Sequence, residues 1–136
     1  METVLVVDDD AEMCAVAAEM LEQDGYSVLR AVGPSAALNT AEHHPGPIDL
    51  LLTDLVMPGM NGVVLAERVR LQRPETKVLF MSGFTRDNLG DQNVLPAGVK
   101  LVVKPFTGPE LRLKVRELLD QRRSPFARPK PPAGRT

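Results

Sequence analysis

Ile48-Asp49-Leu50-Leu51-Leu52-Thr53-Asp54-Leu55-Val56-Met57-Pro58-Gly59-Met60-Asn61-Gly62 starts as an apolar run and ends in one carboxylate followed by a turn that Pro58, Gly59 and Gly62 would shape. A short run of this kind reads as a strand buried on both faces, as in a parallel sheet. Ligands of open α/β sheets bind beyond the carboxyl ends of the strands. Asp54 stands at that edge, so the other residues that gather there decide what the chain can do.

Working outward, the same pattern recurs. Residues 3–7, 26–31, 77–81 and 99–103 are short aliphatic or β-branched runs, and each stops at polar or turn residues. Helical spacing fills the intervals. Met13, Val16, Ala17, Met20 and Leu21 mark an inner face after Asp10, which suits an N-cap, and Gly25 is placed to end that helix. Gly33-Pro34 opens a second helix with Ala37, Leu38 and Ala41 inward, and His43-His44-Pro45-Gly46-Pro47 ends it. Asn61 caps a third, with Leu65, Ala66 and Val69 inward, ending near Arg73-Pro74. Leu89, Val94 and Leu95 suggest a short helix within residues 84–96, broken by Gly90. Thr107-Gly108-Pro109-Glu110 has capping-box spacing before a last helix striped by Leu111, Val115, Leu118 and Leu119 and closed by Arg122-Arg123. Five strands alternating with five helices predict an α/β fold, a doubly wound five-stranded parallel sheet with right-handed crossovers.

Bulk properties narrow the classes. A chain of 136 residues makes one domain with a real core. With no Trp and 4% aromatics, that core must be aliphatic. Residues 124–136 hold Arg128, Lys130 and Arg135 and no acid, so the rest of the chain carries −5 against −2 overall, which argues against a nucleic-acid face. This Pro-rich basic stretch reads as an extended or disordered tail after a domain of residues 1–123. The single Cys14 excludes an internal disulfide and reads as a small half-buried hydrophobe. No run approaches the ~18 apolar residues of a membrane span. Met1-Glu2-Thr3 lacks the basic start of a signal peptide, so the chain reads as cytoplasmic. His43-His44 reads as a solvated helix end, and Arg68, Arg70 and Arg73 as a solvated face. An initial Met and a terminal tail fit a complete small protein, though a piece cut from a larger kinase would look the same.

With all strands in one direction, their ends collect Asp8 and Asp9, Asp54, Ser82 and Lys104 on one edge. Three close carboxylates oppose one another's ionisation, and a hard divalent cation resolves the conflict. Asp54 can then act as an oxygen nucleophile toward phosphorus, forming an acyl phosphate. Lys104 and the Ser82 hydroxyl are suited to meet the charge spread over the phosphoryl oxygens.

The motifs Val4-Leu5-Val6-Val7-Asp8-Asp9-Asp10, Leu52-Thr53-Asp54-Leu55-Val56-Met57-Pro58-Gly59-Met60-Asn61-Gly62, Met81-Ser82-Gly83 and Val103-Lys104-Pro105-Phe106 resemble, in order and separation, a response-regulator receiver domain of two-component signalling. The likeness covers about residues 3–122 and has the flavour of receivers attached to hybrid histidine kinases. It implies the flavodoxin-like (βα)5 fold and a phosphoacceptor, not a metabolic enzyme. It implies that Asp54 is phosphorylated by a histidine kinase or histidine phosphotransfer domain. Asp9 would bind Mg²⁺ (or Mn²⁺) directly, Asp8 largely through water, and the Val56 carbonyl would be a further ligand. Ser82 would close on the phosphoryl group, Lys104 would pair with it, and the Lys104-Pro105 bond would be cis. Docking would use residues near Met13 to Ala17 and Pro105-Phe106. One departure stands out: Leu101 occupies the place of an aromatic residue that often turns inward on phosphorylation.

Two other readings compete. Asp8 and Asp10 have the spacing of a haloacid-dehalogenase-type phosphatase, but Glu12 stands where Thr or Val is expected and Asp54 would have no role. A receiver-shaped interaction module without phosphate turnover is the other.

Overall fold

The computed structural model describes residues 2–83 and 99–121. The helix expected within residues 84–96, Arg122-Arg123 and the tail at 124–136 lie outside the described residues.

Five strands form one sheet: β1 (Thr3–Asp8), β2 (Ser27–Val32), β3 (Leu50–Asp54), β4 (Lys77–Ser82) and β5 (Lys100–Val103). All pairings are parallel and the order is β2-β1-β3-β4-β5, the flavodoxin-like arrangement. The expected strands are therefore present, with ends shifted by a residue or two. The chain order reverses between β1 and β3, so a crevice opens beyond their carboxyl ends.

Alternation along each strand divides the core. Val4 and Val6 point to one face, with Leu50, Leu52, Leu79 and Met81, beneath α1 (Ala11–Gln23) and a later helix, Gly108–Asp120. Leu5 and Val7 point to the other, with Leu51 and Phe80, beneath α2 (Pro34–His43) and α3 (Gly62–Gln72). The helix at Gly108–Asp120 is α4. Each fully buried aliphatic side chain contributes about 1.5–3 kcal/mol, which is how a core almost without aromatics holds.

Local chemistry sets the helix ends. Asp10 caps α1, accepting from the Glu12 and Met13 amides, and Asn61 caps α3, accepting from the Val64 amide at 2.9 Å. Thr107 and Glu110 form the expected reciprocal capping box on α4. Gly25, at φ 93°, ends α1 in a conformation that a side chain would strain.

Two expectations need correction. The buried stripe of α1 is Cys14, Ala17, Ala18 and Leu21, while Val16 is 42% exposed. Small residues let α1 sit close on the sheet, and that outweighed the larger apolar positions. Cys14 is accordingly fully buried, its thiol 3.7 Å from the Val6 and Ala31 carbonyls, and burial pushes its pKa up. Arg73 is no solvated residue. Its guanidinium donates to the carbonyls of Ala41 (2.9 Å), His44 (2.7 Å) and Gly46 (2.7 Å), tying the α2–β3 connection to the end of α3.

Candidate functional site

β1 ends in Asp8, which is buried, and Asp9 follows it into solvent. β3, the next strand over, ends in Asp54, 8% exposed. One carboxylate oxygen from each of Asp8, Asp9 and Asp54 lies within 4.8 Å of the others. The strands bring them together because β1 and β3 are in register, with Val7 opposite Thr53.

The cation of the cluster comes from the loop after β5. Lys104 Nζ donates to Asp8 Oδ2 at 2.9 Å and stands 3.4 Å from Asp54 Oδ1. Its backbone amide donates to the Ser82 carbonyl at 2.7 Å, and the bond to Pro105 is cis. Ser82 ends β4, opposite Val103, and is buried. Val56 lies two residues beyond β3, in a loop that Gly59 turns at φ 84°. Asp8, Asp9, Asp54, Ser82, Lys104 and Val56 thus all belong to the carboxyl edge of the sheet, where the sequence put them.

The electrostatics are unbalanced. Burial, with the charges of Asp8 and Asp9 adding to it, pushes the Asp54 carboxyl up to about 6 despite the pull of Lys104. Burial pulls the Lys104 ammonium down, but its hydrogen bond to Asp8 and the charges of Asp54 and Asp8 outweigh that, and its pKa is raised. One ammonium faces three carboxylates. Clustered oxygen donors of this kind suit a hard divalent cation, which takes carboxylate and carbonyl ligands and keeps waters. The residues present therefore fit Mg²⁺ or Mn²⁺.

Asp10 does not join them. Its carboxylate is spent on the first amides of α1, while its own amide donates to Asp8 Oδ1 at 3.0 Å. That removes the second carboxylate on which a dehalogenase-type phosphatase reading depends. His43 is exposed, with its ring nitrogen 2.9 Å from the Asn39 carbonyl, as a helix end would have it.

Two residues that residue type alone did not single out hold Asp54, one by its backbone and one by its carboxylate. The buried Thr53 hydroxyl donates to the Asp54 carbonyl at 3.0 Å. The Leu55 amide donates to Asp54 Oδ1 at 3.1 Å, and the Leu55 carbonyl accepts from the Gly62 amide at 2.7 Å. A polar residue inside an aliphatic strand was the available signal for Thr53.

Residues 4–116 match the family described as the response regulator receiver domain. The response regulator receiver protein CpdR of Brucella abortus is 32% identical over 119 residues, covering 88% of this chain and 98% of that protein. The sensor kinase CckA of the same organism is 33% identical over 121 residues, or 88% of this chain, which spans only 13% of the kinase's length. Among solved structures, the response regulator protein TrrA of Thermotoga maritima, in complex with Mg²⁺-BeF, superposes with a TM-score of 0.70 at 30% identity, covering 88% of this chain and all of that one. Among the described residues, no helix is long and apolar enough to cross a membrane.

Proposed function

The chain belongs to the response regulator receiver domain family, and on that footing we propose that it accepts a phosphoryl group on Asp54 from the phosphohistidine of a kinase or phosphotransfer domain. Receiver domains are phosphoacceptors rather than classical enzymes. The observation that carries the reading is the reach of Lys104, 96 residues from Asp8, into a site where it contacts both Asp8 and Asp54.

The side chains of Asp9 and Asp54, with Asp8 through water and the Val56 carbonyl, would hold Mg²⁺ or Mn²⁺. Bound there, the cation relieves the carboxylate repulsion and draws charge from the phosphoryl oxygens. Asp54 supplies the attacking oxygen. A P–O bond to Asp54 forms as the P–N bond to the donor histidine breaks, and the imidazole leaves with a proton. Lys104 pairs with a phosphoryl oxygen, and Ser82 donates its hydroxyl to another. Water later attacks phosphorus, releasing orthophosphate and restoring the Asp54 carboxylate.

The partner would dock on α1 and the Pro105-Phe106 loop. Leu101 packs, partly buried, against the core cluster that holds Phe80, its partner in register on β4, so position 101 itself has no aromatic ring to turn inward. The receiver would then work as a relay or sink, or signal through Ser82 and its loop.

The test is labelling with a small phosphodonor and Mg²⁺, with the adduct located by mass spectrometry. A stoichiometric adduct on Asp54 is expected. An adduct on Asp8 with rapid turnover of phosphate esters would favour the phosphatase reading. A chain that takes no label yet binds its partner through this fold would be an interaction module.

A further inference from the structure

α3 begins with Gly62, and this glycine presses on the nucleophile's own backbone. A Cβ built at Gly62 would stand 2.4 Å from the Asp54 carbonyl oxygen, 3.2 Å from the Asp54 carbonyl carbon and 3.1 Å from Leu55 Cα. All three are backbone atoms, so no side chain can swing aside. Gly62 is not among the glycines with positive φ, which are Gly25, Gly33 and Gly59 among the described residues. Its conformation is open to any residue, and alanine would suit a helix better. The requirement is for space alone.

The crowded segment is held from two sides. Thr53 donates its hydroxyl to the Asp54 carbonyl, and Gly62 donates its own amide to the next carbonyl, that of Leu55. Leu55 in turn shares its amide between the Met81 carbonyl of β4, at 2.9 Å, and Asp54 Oδ1, at 3.1 Å. β4 and the start of α3 therefore fix the Asp54–Leu55 peptide between them, and that peptide aims the carboxylate.

We propose that Gly62 is a positioning residue for Asp54: its missing side chain lets α3 seat against the Asp54–Leu55 peptide and set the carboxylate toward Lys104. This rests on the phosphoacceptor reading only for its effect on rate. Any side chain at 62 must either lift α3 or turn that peptide, and turning it moves the Leu55 amide off Asp54 Oδ1.

The internal control is Gly108, which begins α4 in the same way, with open space around an added Cβ. Gly62→Ala and Gly108→Ala are compared in the full chain with Mg²⁺ alone and with a small phosphodonor. Gly62→Ala is expected to weaken Mg²⁺ binding and to slow labelling of Asp54 at saturating Mg²⁺ by about tenfold to a hundredfold, the scale of an ångström's misplacement. Gly108→Ala should stay within about twofold of the parent on both counts. The Leu55 amide resonance, read by NMR in Mg²⁺-free protein, should move far more in Gly62→Ala than in Gly108→Ala. A folded Gly62→Ala with parental labelling, parental Mg²⁺ affinity and an unmoved Leu55 amide would overturn the proposal. If Gly62→Ala does not fold even with a stabilising osmolyte, the parent decides. Its Gly62 amide and Leu55 carbonyl should shift together with Asp54 on Mg²⁺ addition, and their failure to do so would overturn it equally. A parent that takes no label defeats the phosphoacceptor reading alone, and the Leu55 amide still judges Gly62.

Discussion

The two ends of the sheet handle charge in opposite ways. At the amino edge, Arg116 bonds Glu2 (3.1 Å), Asp120 (2.8 Å) and the Tyr26 hydroxyl (2.8 Å), with its guanidinium 5.8 Å from the Tyr26 ring centre. Arg112 pairs with Asp24 at 3.0 Å, and Asp49 accepts the Thr3 amide at 2.8 Å. These groups are partly exposed, and each of the four acids has a donor beside it. At the carboxyl edge, three acids converge on one lysine, and two of the acids are buried. Wet ion pairs cost little and contribute little. A buried surplus of one sign is unfavourable to the fold and is relieved by binding. The acids are thus wet and separately paired at one edge, and buried and crowded around one lysine at the other.

The comparison breaks most readily at Asp54. Asp54→Asn removes the nucleophile, and labelling by a phosphodonor should fall by on the order of 10³ or more while the far-UV circular dichroism is kept. Retained stoichiometric labelling would put the chemistry elsewhere.

Next comes the cost of the surplus itself, in metal-free buffer. Asp54 has a folded-state pKa of about 6 against 3.8 for a free carboxyl. The folded state therefore binds its proton more tightly than the unfolded chain. The stabilisation is fully present below about pH 4 and is lost as pH rises through 6. The shift corresponds to about 3 kcal/mol. Asp54→Asn should then be more stable than the parent at pH 7 by up to that amount, and nearly equal to it at pH 4. Denaturant titrations at both pH values check this, and a gap that does not change with pH would rule it out.

Mg²⁺ should relieve the same strain. At a hundred times its dissociation constant it adds about 2.7 kcal/mol, a rise in Tm on the order of 10 °C. Asp9→Asn and Asp54→Asn should shrink that rise. No shift at millimolar Mg²⁺ would leave the acid cluster without its proposed ion.

The smallest effect belongs to the amino edge. Arg116→Ala should cost about 1 kcal/mol in a denaturant melt, with labelling of Asp54 unchanged. A slowed labelling rate would mean that the two edges are coupled, and the comparison would fail.

Most of this was legible in the sequence, for identifiable reasons. Aliphatic runs that end in polar residues give the strands, and a parallel sheet then puts Asp8, Asp9, Asp54, Ser82 and Lys104 on one edge with no further information. What escaped depends on backbone atoms. Arg73 reads as one of several arginines on a polar face, because its partners are three carbonyls 27 to 32 residues away. Of the expected inner face of α1, Ala17 and Leu21 are buried, but Cys14 and Ala18 escaped and Val16 faces outward, because helix-to-sheet distance favours small residues there. Gly62 looked like part of a turn, whereas its role is the gap it leaves beside Asp54.

The site also draws its parts from far along the chain, at positions 8, 54 and 104. Lys104 follows β5, so a nascent chain that has made only β1 and β3 already holds the three acids but has no ammonium to offset them. Such a chain lacks the one side-chain cation that the finished site sets against its acids. On the proposed reading, the site is complete only once Lys104, after β5, has joined it. On that reading a phosphodonor label should report that the chain after β5 has reached the site, and it should stay silent on any truncated product that stops short of Lys104.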